Sequence, residues 1–411
     1  MRLLHLLLFV ISVHVAHFTD PSCVMELECA ACVPENMPAV AGAARAGASL
    51  AAAAGAELRL ACGGGAFLAY PLLAELRVVC EAGRYRVQHD QQLRHLLDLG
   101  CQESIFEDVL HQVEHCGPPL QGRAYQMREA GSRVRHLATV CFDEDRAIAV
   151  SLRMSNAARN QLQLAPHDEH SGPLSLLGNF NHMFDAKTRR DAERLYSDDA
   201  HMNKRLHELF KHDHYSFAGQ SLTSAKLLSS HYFDEQNMRV TEFASNKVAA
   251  WRSVVEGNLK HLQRDVAKLL QQARPHTPLQ VWAGTHGAGS LRVGHARAEL
   301  ALQAGRRFPV PRYLWTVLHA PQLHRALALV LLNEPFVAVS EIRDAVFCES
   351  ACGGVSWLHE LRRNRNYESP VYGLVFCCSM HNFTDVVTEM PRDVIDVPAG
   401  KAGMLTELFT L

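Results

Sequence analysis

Five residues near the C-terminus have the types and spacing of a metal centre: Cys348-x3-Cys352, then Cys377-Cys378-x2-His381. Structural zinc takes four soft ligands in two pairs, each pair on a tight turn so that both side chains reach one ion. Gly353-Gly354 supplies such a turn, and Cys348, Cys352, Cys378 and His381 complete the ligand set. Successive side chains of an extended segment point to opposite faces, which leaves Cys377 as the spare thiol. Zinc is therefore the cofactor this pattern implies. The competing reading is four ordinary buried cysteines.

A second constellation is Arg362, Arg363 and Arg365, with Trp357 and Tyr367 close by. Cations interleaved with aromatic rings bind single-stranded nucleic acid by charge and stacking. The plainer reading is a solvated basic face. Residues 284–290, Gly-Thr-His-Gly-Ala-Gly-Ser, resemble a phosphate loop without its lysine, so no nucleotide site or intrinsic ATPase is expected there. His207 and His212 do not share a helix face, so with Asp213 and His214 they read as solvated. No nucleophile triad or carboxylate pair stands out, and no catalytic residue is assigned.

The elements that must hold these groups follow from patterning. The chain has 411 residues, 48% hydrophobic and 20% charged, with net charge −2, which suits two or three globular domains. The even charge balance gives no chain-wide argument for nucleic-acid binding. Apolar spacing predicts helices over 88–99, 104–115, 187–211, 241–273 and 323–332. In the fourth, Val248, Trp251, Val255, Leu259, Leu262, Val266 and Leu269 form a near-heptad seam, suited to a bundle core or a coiled-coil partner. A β-hairpin is expected over 134–152 about Asp143-Glu144-Asp145, and a strand over 371–377. The expected fold is mainly α with smaller β elements (α+β): a multi-helix bundle with a long central helix and a Cys-rich C-terminal segment. Its domains are 1–165, 174–274 and 291–411, with a linker over 166–173.

Of the 12 cysteines, eight lie between Cys23 and Cys141 and four between Cys348 and Cys378. That spread predicts a reduced intracellular chain of scattered thiols. Residues 3–15 have the outline of a signal peptide, but His5 and His14 interrupt the apolar run and no clean cleavage site follows. A buried amphipathic helix is the favoured reading of this segment. A secreted or lumenal disulfide-bonded glycoprotein, with Asn382-Phe383-Thr384 as its sequon, is the alternative. A zinc-stabilised nuclear regulator is a third.

Several short strings, in order, resemble the herpesvirus tripartite terminase subunit 1 family. They are Met25-Glu26-Leu27-Glu28-Cys29 with Cys32 and Pro34, Gly65-Ala66-Phe67-Leu68, His115-Cys116, Met202-Asn203-Lys204-Arg205-Leu206, and Phe243-Ala244-Ser245-Asn246. The family's zinc finger has no counterpart here, since residues 185–214 hold no cysteine. The resemblance implies a component of a viral genome-packaging complex in the host nucleus. It would act in DNA recognition and assembly, with a large ATPase/nuclease subunit, a third small subunit, viral DNA and the capsid portal as partners, and no membrane. Any nuclease role is likewise only what the resemblance implies.

Overall fold

The computed structural model describes residues 22–407 apart from 27–28, 30, 47–48, 64, 130–132, 156–189, 191, 193, 197, 211–216, 218, 234–236, 274–277, 294–295, 364–365 and 391–394. The expected helix over 3–15 and the linker over 166–173 lie outside the described residues.

An eight-stranded antiparallel sheet forms the centre, and it overturns the mainly α expectation. Its strands are β1 (Phe106–Leu110), β2 (Gln121–Glu129), β3 (Arg133–Asp143), β4 (Ile148–Ser155), β5 (Gln280–Ala288), β6 (Pro311–Ala320), β7 (Arg325–Leu332) and β8 (Val375–Cys378). They follow one another across the sheet in chain order. The first expected domain supplies β1 to β4 and the third supplies β6 to β8, so the two share one sheet.

Three helix expectations fail for identifiable reasons. Residues 325–332, Arg-Ala-Leu-Ala-Leu-Val-Leu-Leu, are rich in helix formers, but they form β7 and are buried on both faces. A strand covered on both sides is a continuous apolar run, which periodicity alone does not separate from a buried helix. In 104–115, Ser104 Oγ does accept a backbone N–H, that of Phe106 at 3.1 Å, but the chain then extends into β1. Glu107 and Asp108 are buried there because β2 brings Arg123, Gln126 and Arg128 opposite them. Residues 88–99 form a two-residue strand, Leu93–Arg94, and a 3-10 turn, Leu96–Leu99. The hairpin expected over 134–152 is present as β3 and β4, and Asp143 Oδ1 accepts the Arg146 N–H at 2.9 Å in its turn.

Two layers cover the sheet. On one face Trp282, Trp315, Val317, Ala328 and Phe376 pack under helix α4 (Met380–Val386), with Phe383 edge-on to Trp315 at 5.4 Å. Gly284 leaves room for this packing, because a Cβ there would lie 2.3 Å from the Trp315 ring. On the other face lie α1 (Asp199–Phe210), a hairpin of Leu222–Lys226 with Lys247–Trp251, α2 (Lys260–Gln272) and α3 (His359–Arg363).

The helix expected over 241–273 starts late. Residues 247–251 are strand, and Arg252–Val254 leads through a π turn, Val255–Leu259, into α2. Leu259, Leu262, Val266 and Leu269 are buried in the core of this chain. Asp265 on α2 accepts the backbone N–H groups of Glu360 and Leu361 at 2.8 and 2.9 Å, satisfying free donors at the start of α3.

The described N-terminal residues, expected to be mainly helical, form a five-stranded and a three-stranded sheet. Disulfides Cys23–Cys80, Cys29–Cys32, Cys62–Cys101 and Cys116–Cys141 staple this part, and Cys348–Cys378 and Cys352–Cys377 staple the C-terminal part. No cysteine is free.

Candidate functional site

The four proposed zinc ligands do not come together as a ligand set. Cys348 is bonded to Cys378 and Cys352 to Cys377, with Cα separations of 5.8 and 5.0 Å. Zinc binds thiolate, and a disulfide sulfur carries none. Cys377, expected as a spare thiol, has a partner. His381 is exposed on α4, with Nε2 3.7 Å from Asp385. Among the described residues His115, Cys116 and Cys141 also lie close enough for a metal, but Cys116 and Cys141 are bonded to each other.

Of the arginine cluster, two members are described. Arg362 and Arg363 are exposed at the end of α3, and Arg365 lies outside the described residues. Trp357, expected to stack on bases, is 2% exposed and donates its indole N–H to the Leu405 carbonyl at 3.0 Å. Tyr367, the other aromatic residue of this group, is half-buried.

The structure gathers cations elsewhere. Helix α1 buries Met202, Leu206 and Phe210 and turns His201, Lys204, Arg205 and Glu208 outward. Steps of three and four residues put these side chains on one face. Asn203 sets the helix's position: its side chain donates to the Leu222 carbonyl at 2.8 Å and accepts the Leu222 N–H at 2.7 Å. Arg252 adds a contact to Asp199 at 2.6 Å. Across from α1, a hairpin of Ala301–Gln303 with Arg307–Pro309 presents Arg307, whose Nε donates to the Asp145 carbonyl at 3.1 Å. Arg205 Nε donates to the Leu302 carbonyl at 2.9 Å and an Nη reaches Glu208 at 3.1 Å, which joins the two walls.

Between the walls runs an open groove of about 540 Å³. Among the described residues Arg194, Lys204, Arg205 and Arg307 line it with His201, and Glu208 supplies one carboxylate. The lining is predominantly cationic, and its His201 has Nδ1 3.5 Å from Asp198. Its α1 half was legible as a helical spacing of basic residues. Arg307 joins only through the fold.

At the far end of the hairpin beside α1, Glu242 accepts from Lys226 and lies 3.2 Å from Lys247. Burial disfavours its charge, but the two ammonium groups prevail and hold the carboxyl below the usual range. On the opposite face of the sheet, burial and neighbouring cationic groups push His136 and His319 down to about 4.

The strings behind the terminase resemblance fall in ordinary structural positions. Met25 is buried in a strand, Cys29 is bonded to Cys32, Phe67 is core, and Phe243–Asn246 lead into the hairpin beside α1. No protein-family model matches the chain. Among curated proteins it is similar to salivary protein Tsal1 of Glossina morsitans morsitans, 23% identical over 154 residues. That match covers 36% of this chain and 36% of Tsal1, so it spans about a third of the relative's length. Among solved structures it shows a slight likeness to a chain of the EndoG/EndoGI complex, with TM-score 0.29 and 11% identity over 48% of this chain and 71% of that one. Neither points to a packaging subunit.

Proposed function

We propose that this is a secreted, disulfide-stapled protein that binds nucleic acid through the phosphate backbone, using the groove between α1 and the 301–309 hairpin. The observation that carries the proposal is the charge of that groove: among the described lining residues, Arg194, Lys204, Arg205 and Arg307 with His201 outnumber the carboxylate of Glu208. Cations that converge on an extended groove suit sequence-independent phosphate binding. A chain with net charge −2 keeps such binding local. All twelve cysteines are paired, which supports an oxidising compartment over the host nucleus, where thiols are kept reduced. On this reading the DNA recognition that the terminase resemblance also implied would use this groove rather than Arg362 and Arg363.

The test is binding to a short duplex across a salt series. With four cations in contact, log affinity should fall against log salt with a slope of about −3 to −4. Lys204→Ala should flatten that slope by about 1. No binding at low salt, or an unchanged slope in Lys204→Ala and Arg194→Ala, would reject the assignment.

A further inference from the structure

A second cavity, distinct from the groove, lies beneath the hairpin of Ser290–Val293 with Ala296–Glu299. Its volume is about 220 Å³, room for one or two fused planar rings. Trp251 and Phe336 supply aromatic walls, their rings edge-to-face at 5.1 Å, with Leu291 and Leu300 beside them. The inner polar groups are already engaged. Glu334 accepts the Ser290 N–H at 3.0 Å and Arg312 Nε at 3.1 Å. Asn333 accepts the Trp251 N–H at 3.0 Å and donates to the Pro311 carbonyl at 2.9 Å.

The mouth carries an unusual arrangement. Arg292 and Arg297 are direct cross-strand partners. Like charges placed opposite each other repel, so this pair calls for an anion. Glu341 provides one, 3.2 Å from Arg292 and 2.8 Å from Arg297. The Arg292 side chain remains 68% exposed and that of Arg297 40%, so an incoming anion can reach both guanidinium groups.

We propose that this cavity binds a small aromatic acid, its planar ring against Trp251 and Phe336 and its anionic group on Arg292 and Arg297 in place of Glu341. An apolar pocket with a few convergent polar groups at its entrance is the usual form of a small-molecule site. Guanidinium pairs suit carboxylate and phosphate equally, so an aromatic carboxylate and an aromatic phosphate share the required chemistry. The site is independent of the nucleic-acid groove, and its failure would leave that proposal standing.

Calorimetric titration of the intact protein with indole-3-acetate and with adenosine 5′-monophosphate tests the inference, with indole and tryptamine as controls. At least one acid should bind, and the tighter of the two identifies the head group as carboxylate or phosphate. Arg292→Gln and Arg297→Gln should each weaken that binding about tenfold, the loss of one charge-assisted contact. Glu341→Gln should strengthen it by removing the internal competitor. Phe336→Ala should weaken the acid and indole together. Binding of neither acid, tryptamine binding as tightly as the acids, or unchanged affinity in both arginine variants would overturn the proposal. The arginine side chains are exposed, so their variants remain informative if Phe336→Ala does not fold.

Discussion

Arg123→Leu should be among the most damaging single substitutions in the sheet. Arg123 and Asp108 have side chains 1% and 0% exposed. Arg123 Nε donates to Asp108 Oδ1 at 2.6 Å, and its two Nη groups donate to Gln121 Oε1 at 2.8 Å and the Asp108 carbonyl at 3.0 Å. The other Asp108 oxygen accepts from Ser245 Oγ at 2.7 Å, and Tyr125 shares that hydroxyl. Leucine would fill much of the volume but leave a buried carboxylate with a single hydroxyl donor. Breaking a buried pair from one side costs about 3–5 kcal/mol, because the partner's charge is left uncompensated. That is a large share of the roughly 5–15 kcal/mol that holds a typical domain together. Removing both charges in Arg123→Leu/Asp108→Leu should recover most of the loss, since the desolvation cost goes with them. Urea unfolding under non-reducing conditions, as a double-mutant cycle, measures both changes. A single substitution costing under about 1 kcal/mol, or a double variant no better than the single, would refute the reasoning.

Leu262→Asp places a carboxylate where the side chain is 2% exposed and should cost about 3 kcal/mol or more in the same assay; neutral behaviour would contradict the packing of α2. Thiol titration of the denatured, unreduced protein should find no free cysteine, and elemental analysis no zinc held by Cys348, Cys352 or Cys378; a substantial thiol count would remove the disulfide pairing. His136 and His319 are held near pKa 4, below the ordinary 6.5, so the unfolded chain binds more protons than the folded one in that interval. Their contribution to stability should therefore be complete above about pH 6.5 and decline as the pH falls towards 4, and His136→Gln with His319→Gln should flatten a thermal-melting profile over that range.

Where local chemistry decides a conformation, the sequence was sufficient. The turn through Asp143-Glu144-Asp145 and the extended apolar segments on either side of it led directly to the β3–β4 hairpin. The apolar seam read from Val248 to Leu269 identified a buried helix in its second half, though 247–251 are strand, and Met202, Leu206 and Phe210 are the inner face of another. Residues 325–332 were decided by the fold, because an Ala/Leu run buried on both sides carries no period that separates strand from helix. Glu107 and Asp108 lie in the core only because Arg123, Gln126 and Arg128 arrive from the next strand to neutralise and hydrogen-bond them. The cysteines are the sharpest case. Spacing along the chain offered a zinc set or scattered thiols, whereas pairing depends on distance in space. Cys23 meets Cys80 and Cys62 meets Cys101 across 57 and 39 residues because the strands bring their Cα atoms to 5.8 and 5.5 Å. Likewise the basic groove is half a helical pattern, legible in Lys204 and Arg205. The other half is Arg307, about a hundred residues on, which only the tertiary structure sets opposite them.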